Sequence, residues 1–134
     1  MNEYVGAVRH LACRVLDLLG EGLGLGDPTS LSRLISAVDS DSLLRINHYP
    51  TSSGAADMSA KGIGFGEHTD PQILSLLRAN DVDGLQVLLP DGHGGGDQWV
   101  QVPADPSAFF INVGDLLQVR AVLPCFLKLT VTQQ

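Results

Sequence analysis

After residue 40 the chain is cut into six short runs: LLRINHY, IGFGEH, ILSLLRAN, GLQVLL, WVQV and SAFFINV. Gly, Pro or Asp stands near the ends of each. This punctuation constrains the fold more than any other feature, because runs of this length between turn residues are strands rather than packed helices. Periodicity leaves ILSLLRAN open between helix and strand, and its turn-rich surroundings favour strand. In SLLRINHYP the residues alternate: Leu44, Ile46 and His48 share one face, Arg45, Asn47 and Tyr49 the other. GLQVLL and WVQV read as a hairpin around PDGHGGGDQ. GDLLQV then opens a helix or a turn. Ahead of residue 40 the period is helical. Tyr4, Val8, Leu11, Val15 and Leu18 recur at three and four, beside Val5, Ala12, Leu16 and Leu19, and Gly20, Gly22 and Gly24 end the helix. A second helix follows in GDPTSLSRLISAV, with Asp27 as N-cap, Pro28 at the first helical position, and Leu31, Leu34, Ile35 and Val38 as its buried stripe. The fold class expected is α+β, helices first and then an antiparallel sandwich or jelly roll. No βαβ rhythm supports a nucleotide-binding Rossmann fold.

The 134 residues make one domain or a piece of a larger protein, and the 44% apolar content suffices for a core. A net charge of −7 argues against nucleic acid or an anionic membrane as partner. Cys13 and Cys125 are expected to be buried thiols in a reducing compartment. Glu3, Asp17 and Glu21 interrupt the N-terminal apolar stretch, so it is no signal peptide, and no run is long enough for a membrane span. A cytosolic location is the expectation.

The chemistry-bearing stretch is GFGEHTDPQ, in which His68 and Asp70 stand two apart at the end of a strand. Side chains at i and i+2 share a face, so both can reach one ion while Thr69 points away. Imidazole and carboxylate are two-thirds of the 2-His-1-carboxylate triad of non-haem Fe(II) oxygenases. The ordinary alternative is a solvent-facing strand end, since chance placement yields such a pair about 0.4 times in a chain like this. His93, in the glycine-rich turn, reads as an exposed turn residue; His10 reads as a helix-surface residue and His48 as strand packing. Asp81 and Asp83 form an acidic turn without the spacing of a calcium loop.

LLRINHYP, GFGEHTDPQILSLLRANDVDGLQVLL and WVQVPADPSAFFINVGDLLQV occur in that order, and together they resemble the plant 2-oxoglutarate- and Fe(II)-dependent dioxygenases. EHTDPQI with LLRANDVDGLQV makes them most similar to the gibberellin 2-beta-dioxygenases, over residues 4 to 119. The resemblance implies a double-stranded β-helix core, incomplete here, with residues 1–39 as a helical segment before it, 40–118 as the partial dioxygenase domain and 119–134 as a divergent tail. It implies Fe(II) held by His68 and Asp70, and 2-oxoglutarate contacted by Asn47 and Tyr49. Phe109 and Phe110 fall on a packing strand. The activity implied is hydroxylation of a gibberellin at carbon 2 with 2-oxoglutarate and O2, which inactivates the hormone. The family's second histidine and its Arg-x-Ser pair have no counterpart after Gln118, where the chain reads VRAVLPCFLKLTVTQQ. The chain as written is therefore expected to be inactive. The alternatives are a catalytically dead truncated product and a related plant dioxygenase acting on another small molecule.

Overall fold

The computed structural model describes residues 1–49, 63–90, 96–121 and 128–132. The chain divides into two compact units, Met1–Asn47 and His48–Gln134.

The first unit is a pair of helices, α1 (Asn2–Gly22) and α2 (Ser30–Ser36). Ala12, Leu16 and Gly20, spaced by four, form the buried line of α1, with Leu11, Val15 and Leu19 half-buried beside them. Leu18 is 58% exposed and Tyr4 41%, so the buried stripe lies to one side of the line expected through them. The helix ends among its glycines as the sequence predicts. Gly24 takes φ 66°, in the left-handed region that side chains disfavour, and its N–H donates to the Glu21 carbonyl at 3.0 Å.

Two expectations for α2 fail. Asp27 is not the N-cap: its Oδ1 accepts from the Thr29 N–H at 2.9 Å and the Thr29 hydroxyl at 2.8 Å. That closes a turn around Pro28, so Thr29 becomes the cap and the helix begins at Ser30. The predicted stripe also breaks up. Leu31 and Ile35 are half-buried and Ser32 is buried, but Leu34 faces outward and Val38 lies beyond a helix that ends at Ser36.

The second unit contains β1 (Ile63–His68), β2 (Leu74–Leu77), β3 (Leu85–Pro90), β4 (Asp97–Gln101), β5 (Phe110–Val113), α3 (Asp115–Ala121) and β6 (Lys128–Thr132). All strand pairs are antiparallel. One sheet has the order β1-β6-β3-β4, the other is β2-β5. The predicted hairpin forms, Gln86 opposite Gln101 through Pro90 opposite Asp97; its tip, with His93, lies outside the described residues, as do residues 50–62. ILSLLRAN resolves to strand, and GDLLQV to the start of α3. Leu85 and Val87 alternate inward from β3 and pack with Leu77, Leu89, Val102 and Phe110, so residues of both sheets share this cluster. Phe109 and Phe110 line an apolar cleft of about 200 Å³ beside it, with Leu77, Leu85 and Val102.

The strand expected over SLLRINHYP does not form. Residues 41–49 have no regular structure, and neither sheet includes them. An alternating run without a neighbouring strand has no ladder to hold it extended. A strand does arise where none was assigned: β6, in the tail, pairs with β1 on one side and β3 on the other. No helix among the described residues is long and apolar enough to cross a membrane.

Candidate metal centre

His68 is the last residue of β1, and its backbone pairs with Leu129 of β6. The ladder shifts register between Phe65 and His68. In a regular strand those two would face opposite ways; the irregularity brings their rings edge to face, with centroids 4.4 Å apart and planes at 84°. The His68 Nδ1 lies 2.8 Å from the Gly66 carbonyl oxygen. A carbonyl can only accept, so Nδ1 carries a proton; in the neutral ring this leaves the lone pair on Nε2, the tautomer suited to binding a metal through Nε2.

That Nε2 faces the Asp70 Oδ1 at 3.6 Å. The other carboxylate oxygen, Oδ2, accepts from the Asn112 side-chain amide at 3.0 Å. Two lone-pair atoms thus face each other, and they repel unless a proton or a cation stands between them. Ligands each about 2.0–2.2 Å from an ion can be at most about 4 Å apart. The separation fits one ion bridging both, so the donor set suits a divalent metal. Among the described residues no third His, Cys, Asp or Glu joins the pair.

The turn after β1 is stitched to the segment between β5 and α3. The Asp115 N–H donates to the Asp70 carbonyl at 2.8 Å, and the Thr69 hydroxyl to Asp115 Oδ2 at 2.7 Å. The Gly114 N–H donates to the Ile73 carbonyl at 3.1 Å. Gly114 sits so close that a Cβ there would come within 1.9 Å of the Gln72 carbonyl oxygen and 2.8 Å of that of Asp70. Only glycine permits this approach.

The profile of the 2OG-Fe(II) oxygenase superfamily matches residues 40–122, more than half of the chain, including the His68–Asp70 turn and the β5–α3 junction. The chain belongs to the 2OG-Fe(II) oxygenase superfamily. It is 68% identical over 128 residues to gibberellin 2-beta-dioxygenase 2 of Oryza sativa subsp. japonica, covering 88% of this chain and 35% of that protein. It is 56% identical to gibberellin 2-beta-dioxygenase 4 of Arabidopsis thaliana, over 89% of this chain and 38% of that one. The chain therefore spans little more than a third of the length of these curated relatives. A crystal structure of a Shewanella oneidensis protein described as an oxygenase superposes with a TM-score of 0.74 at 29% identity, covering 98% of this chain and 48% of that one.

Membership in the 2OG-Fe(II) oxygenase superfamily implies Fe(II) as cofactor and 2-oxoglutarate as co-substrate. The structure brings His68 and Asp70 together as the sequence predicts. It does not bring Asn47 and Tyr49 into one strand: Asn47 is exposed at the end of the first unit, while Tyr49 is half-buried in the second. The Tyr49 ring lies flush against β1, where a Cβ on Gly64 would meet its Cδ1 at 2.6 Å. Sequence reasoning missed Asn112 and Asp115. The signal was available in FINVGD, since a polar residue inside an apolar strand needs a partner when buried.

Proposed function

We propose that this chain is part of a gibberellin 2-beta-dioxygenase, in which His68 and Asp70 are two of the ligands of Fe(II) and Asn47 and Tyr49 contact 2-oxoglutarate. The substrate is a gibberellin, hydroxylated at carbon 2, and the two antiparallel sheets are part of a jelly roll. Residues 1–39 precede the dioxygenase domain, 40–118 belong to it, and 119–134 diverge from the family in sequence although β6 within them completes the larger sheet. The observation that carries the reading is the facing pair of His68 Nε2 and Asp70 Oδ1, 3.6 Å apart, with the other ring nitrogen bonded to the Gly66 carbonyl. The relatives named above carry the gibberellin name, which is why that hormone is proposed over another small molecule.

The oxidising chemistry belongs to Fe(II), 2-oxoglutarate and O2 when they are bound. The chain supplies placement. The Gly66 carbonyl holds the imidazole in the metal-binding tautomer, and the Asn112 amide occupies one carboxylate oxygen and leaves the other to the ion.

The test is a chimera in which residues 4–118 replace the matching segment of the rice relative. It is expected to convert 2-oxoglutarate to succinate with hydroxylation of a gibberellin, and His68→Ala or Asp70→Ala in it to abolish both. Tyr49→Phe is expected to raise the 2-oxoglutarate requirement, because one hydrogen bond is worth about 0.5–1.5 kcal/mol net. The 134-residue chain alone, run beside it, is expected to make no succinate above background. A folded, metal-loaded chimera that consumes 2-oxoglutarate with a different small molecule overturns the gibberellin reading and leaves the superfamily intact. Full activity in the His68→Ala chimera overturns the metal site.

A further inference from the structure

We infer that Asn112 is the positioning residue of this metal site, acting through Asp70, and that the β5–α3 junction around it is the clamp that sets the ligand turn. The inference rests on the reading of His68 and Asp70 as ligands.

Asn112 is 4% exposed, on a strand whose neighbours are apolar, and it spends its amide on Asp70. A buried amide without a partner is costly, so the bond is firmly held. An aspartate carboxylate rotates over a broad range about its last torsion. With both oxygens unheld it can turn either one, or both, toward an ion. With Oδ2 fixed by Asn112, only Oδ1 remains, and Oδ1 is the oxygen that faces His68 Nε2.

The junction constrains the backbone as well. Asp115 takes the Asp70 carbonyl through its N–H and the Thr69 hydroxyl through Oδ2, so the residue between the ligands and the second ligand are both pinned. Gly114 brings the two segments to van der Waals limits. Asn112 stands opposite Ser75 in β2, in a pair whose register runs without a break from Leu74–Val113 to Leu77–Phe110. The amide is thus presented from a regular ladder, which is the support that a well-placed ligand requires.

The experiment uses the full chain and Co(II) as a divalent probe, titrated while the His68 ring resonances are followed by NMR. Loss of a bond that orients a metal ligand costs about 10–100-fold in affinity, and Asn112→Ala is expected to weaken Co(II) binding by that factor. In an Asp70→Ala background the same substitution is expected to change the affinity no further, although its effect on the melting temperature persists. A purely structural Asn112 would weaken binding equally in both backgrounds, and that result overturns the inference.

A metal-free measurement needs no Asn112 variant. The Asn112 side-chain amide protons are expected to exchange slowly in the wild type and quickly in Asp70→Ala; equal rates overturn the inference. Co(II) binding that is lost in His68→Ala yet keeps wild-type affinity in Asn112→Ala overturns the positioning role alone. Binding that is the same in the wild type and His68→Ala overturns the metal-site reading beneath it.

Discussion

Strand β1 and the turn that follows it carry one candidate ligand each, and they are held by different means. Among the described residues β1 has a single neighbour, β6, and its register slips twice in six residues. His68 is placed by that ladder and by the carbonyl of Gly66. The turn has no ladder. Asp70 is placed through side-chain and backbone bonds to Asn112 and Asp115, and through the close approach of Gly114. The difference follows from chemistry. A ring with one fixed tautomer needs only its backbone held, whereas a carboxylate with two equivalent oxygens needs one of them occupied. Damage to the sheet should therefore disturb the histidine, and damage to the junction the aspartate.

The largest effect is expected on deleting residues 122–134, which removes β6 from between β1 and β3. The second unit is expected to lose cooperative unfolding and β1 its protection from amide exchange, with the helical signal of α1 retained. Protection of β1 that survives the deletion breaks the comparison. Next comes Gly114→Ala, which forces a methyl into backbone carbonyls that cannot rotate away. Overpacking costs about 1–3 kcal/mol, and the upper end is expected in a denaturant melt, with the β1 amides still protected. Thr69→Val, of equal shape, removes the hydrogen bond to Asp115, whose other oxygen, Oδ1, is already buried without a partner. A loss of about 1 kcal/mol is expected, again confined to the turn.

The smallest effect sharpens the comparison through a carboxylate held by neighbours in sequence. The Thr29 hydroxyl and N–H, with Arg33, hold the Asp27 carboxyl below its ordinary range. A depressed folded-state value adds stability above the unfolded-state value and loses it as the pH falls through the folded one. Acidification through that window is expected to fray α2 slightly, seen in its amide shifts. Asp27→Ala should remove that pH dependence.

Much of the second unit is legible in the sequence because turn residues delimit it. IGFGEH becomes β1 residue for residue, and GLQVLL with WVQV becomes the β3–β4 hairpin. The facing of His68 and Asp70 is legible because side chains two apart share a face, but that spacing is common by chance, and only the motifs around it single the pair out. What fails depends on distant partners. SLLRINHYP has the alternation of a strand but no neighbouring strand among the described residues, whereas LKLTVT in the tail has the same alternation and finds two. Val38 fits the apolar period of α2, but the turn closed by Asp27 shifts the start of that helix and it ends before reaching the position. Asn112 was read as part of a packing strand because its partner lies 42 positions away.

The place of β6 sets an order of events while the chain is being made. The β3–β4 hairpin can close as soon as its second strand emerges, but β1 must wait for residues about 60 positions beyond His68. Synthesis at about 5–20 residues per second makes that wait roughly 3–12 s. Throughout it, β1 lacks the neighbour it has among the described residues, in a form that other nascent chains can extend. The strand that bears the histidine is thus the last to find shelter, and the yield of folded protein should depend on how quickly the tail arrives or on what covers β1 until it does.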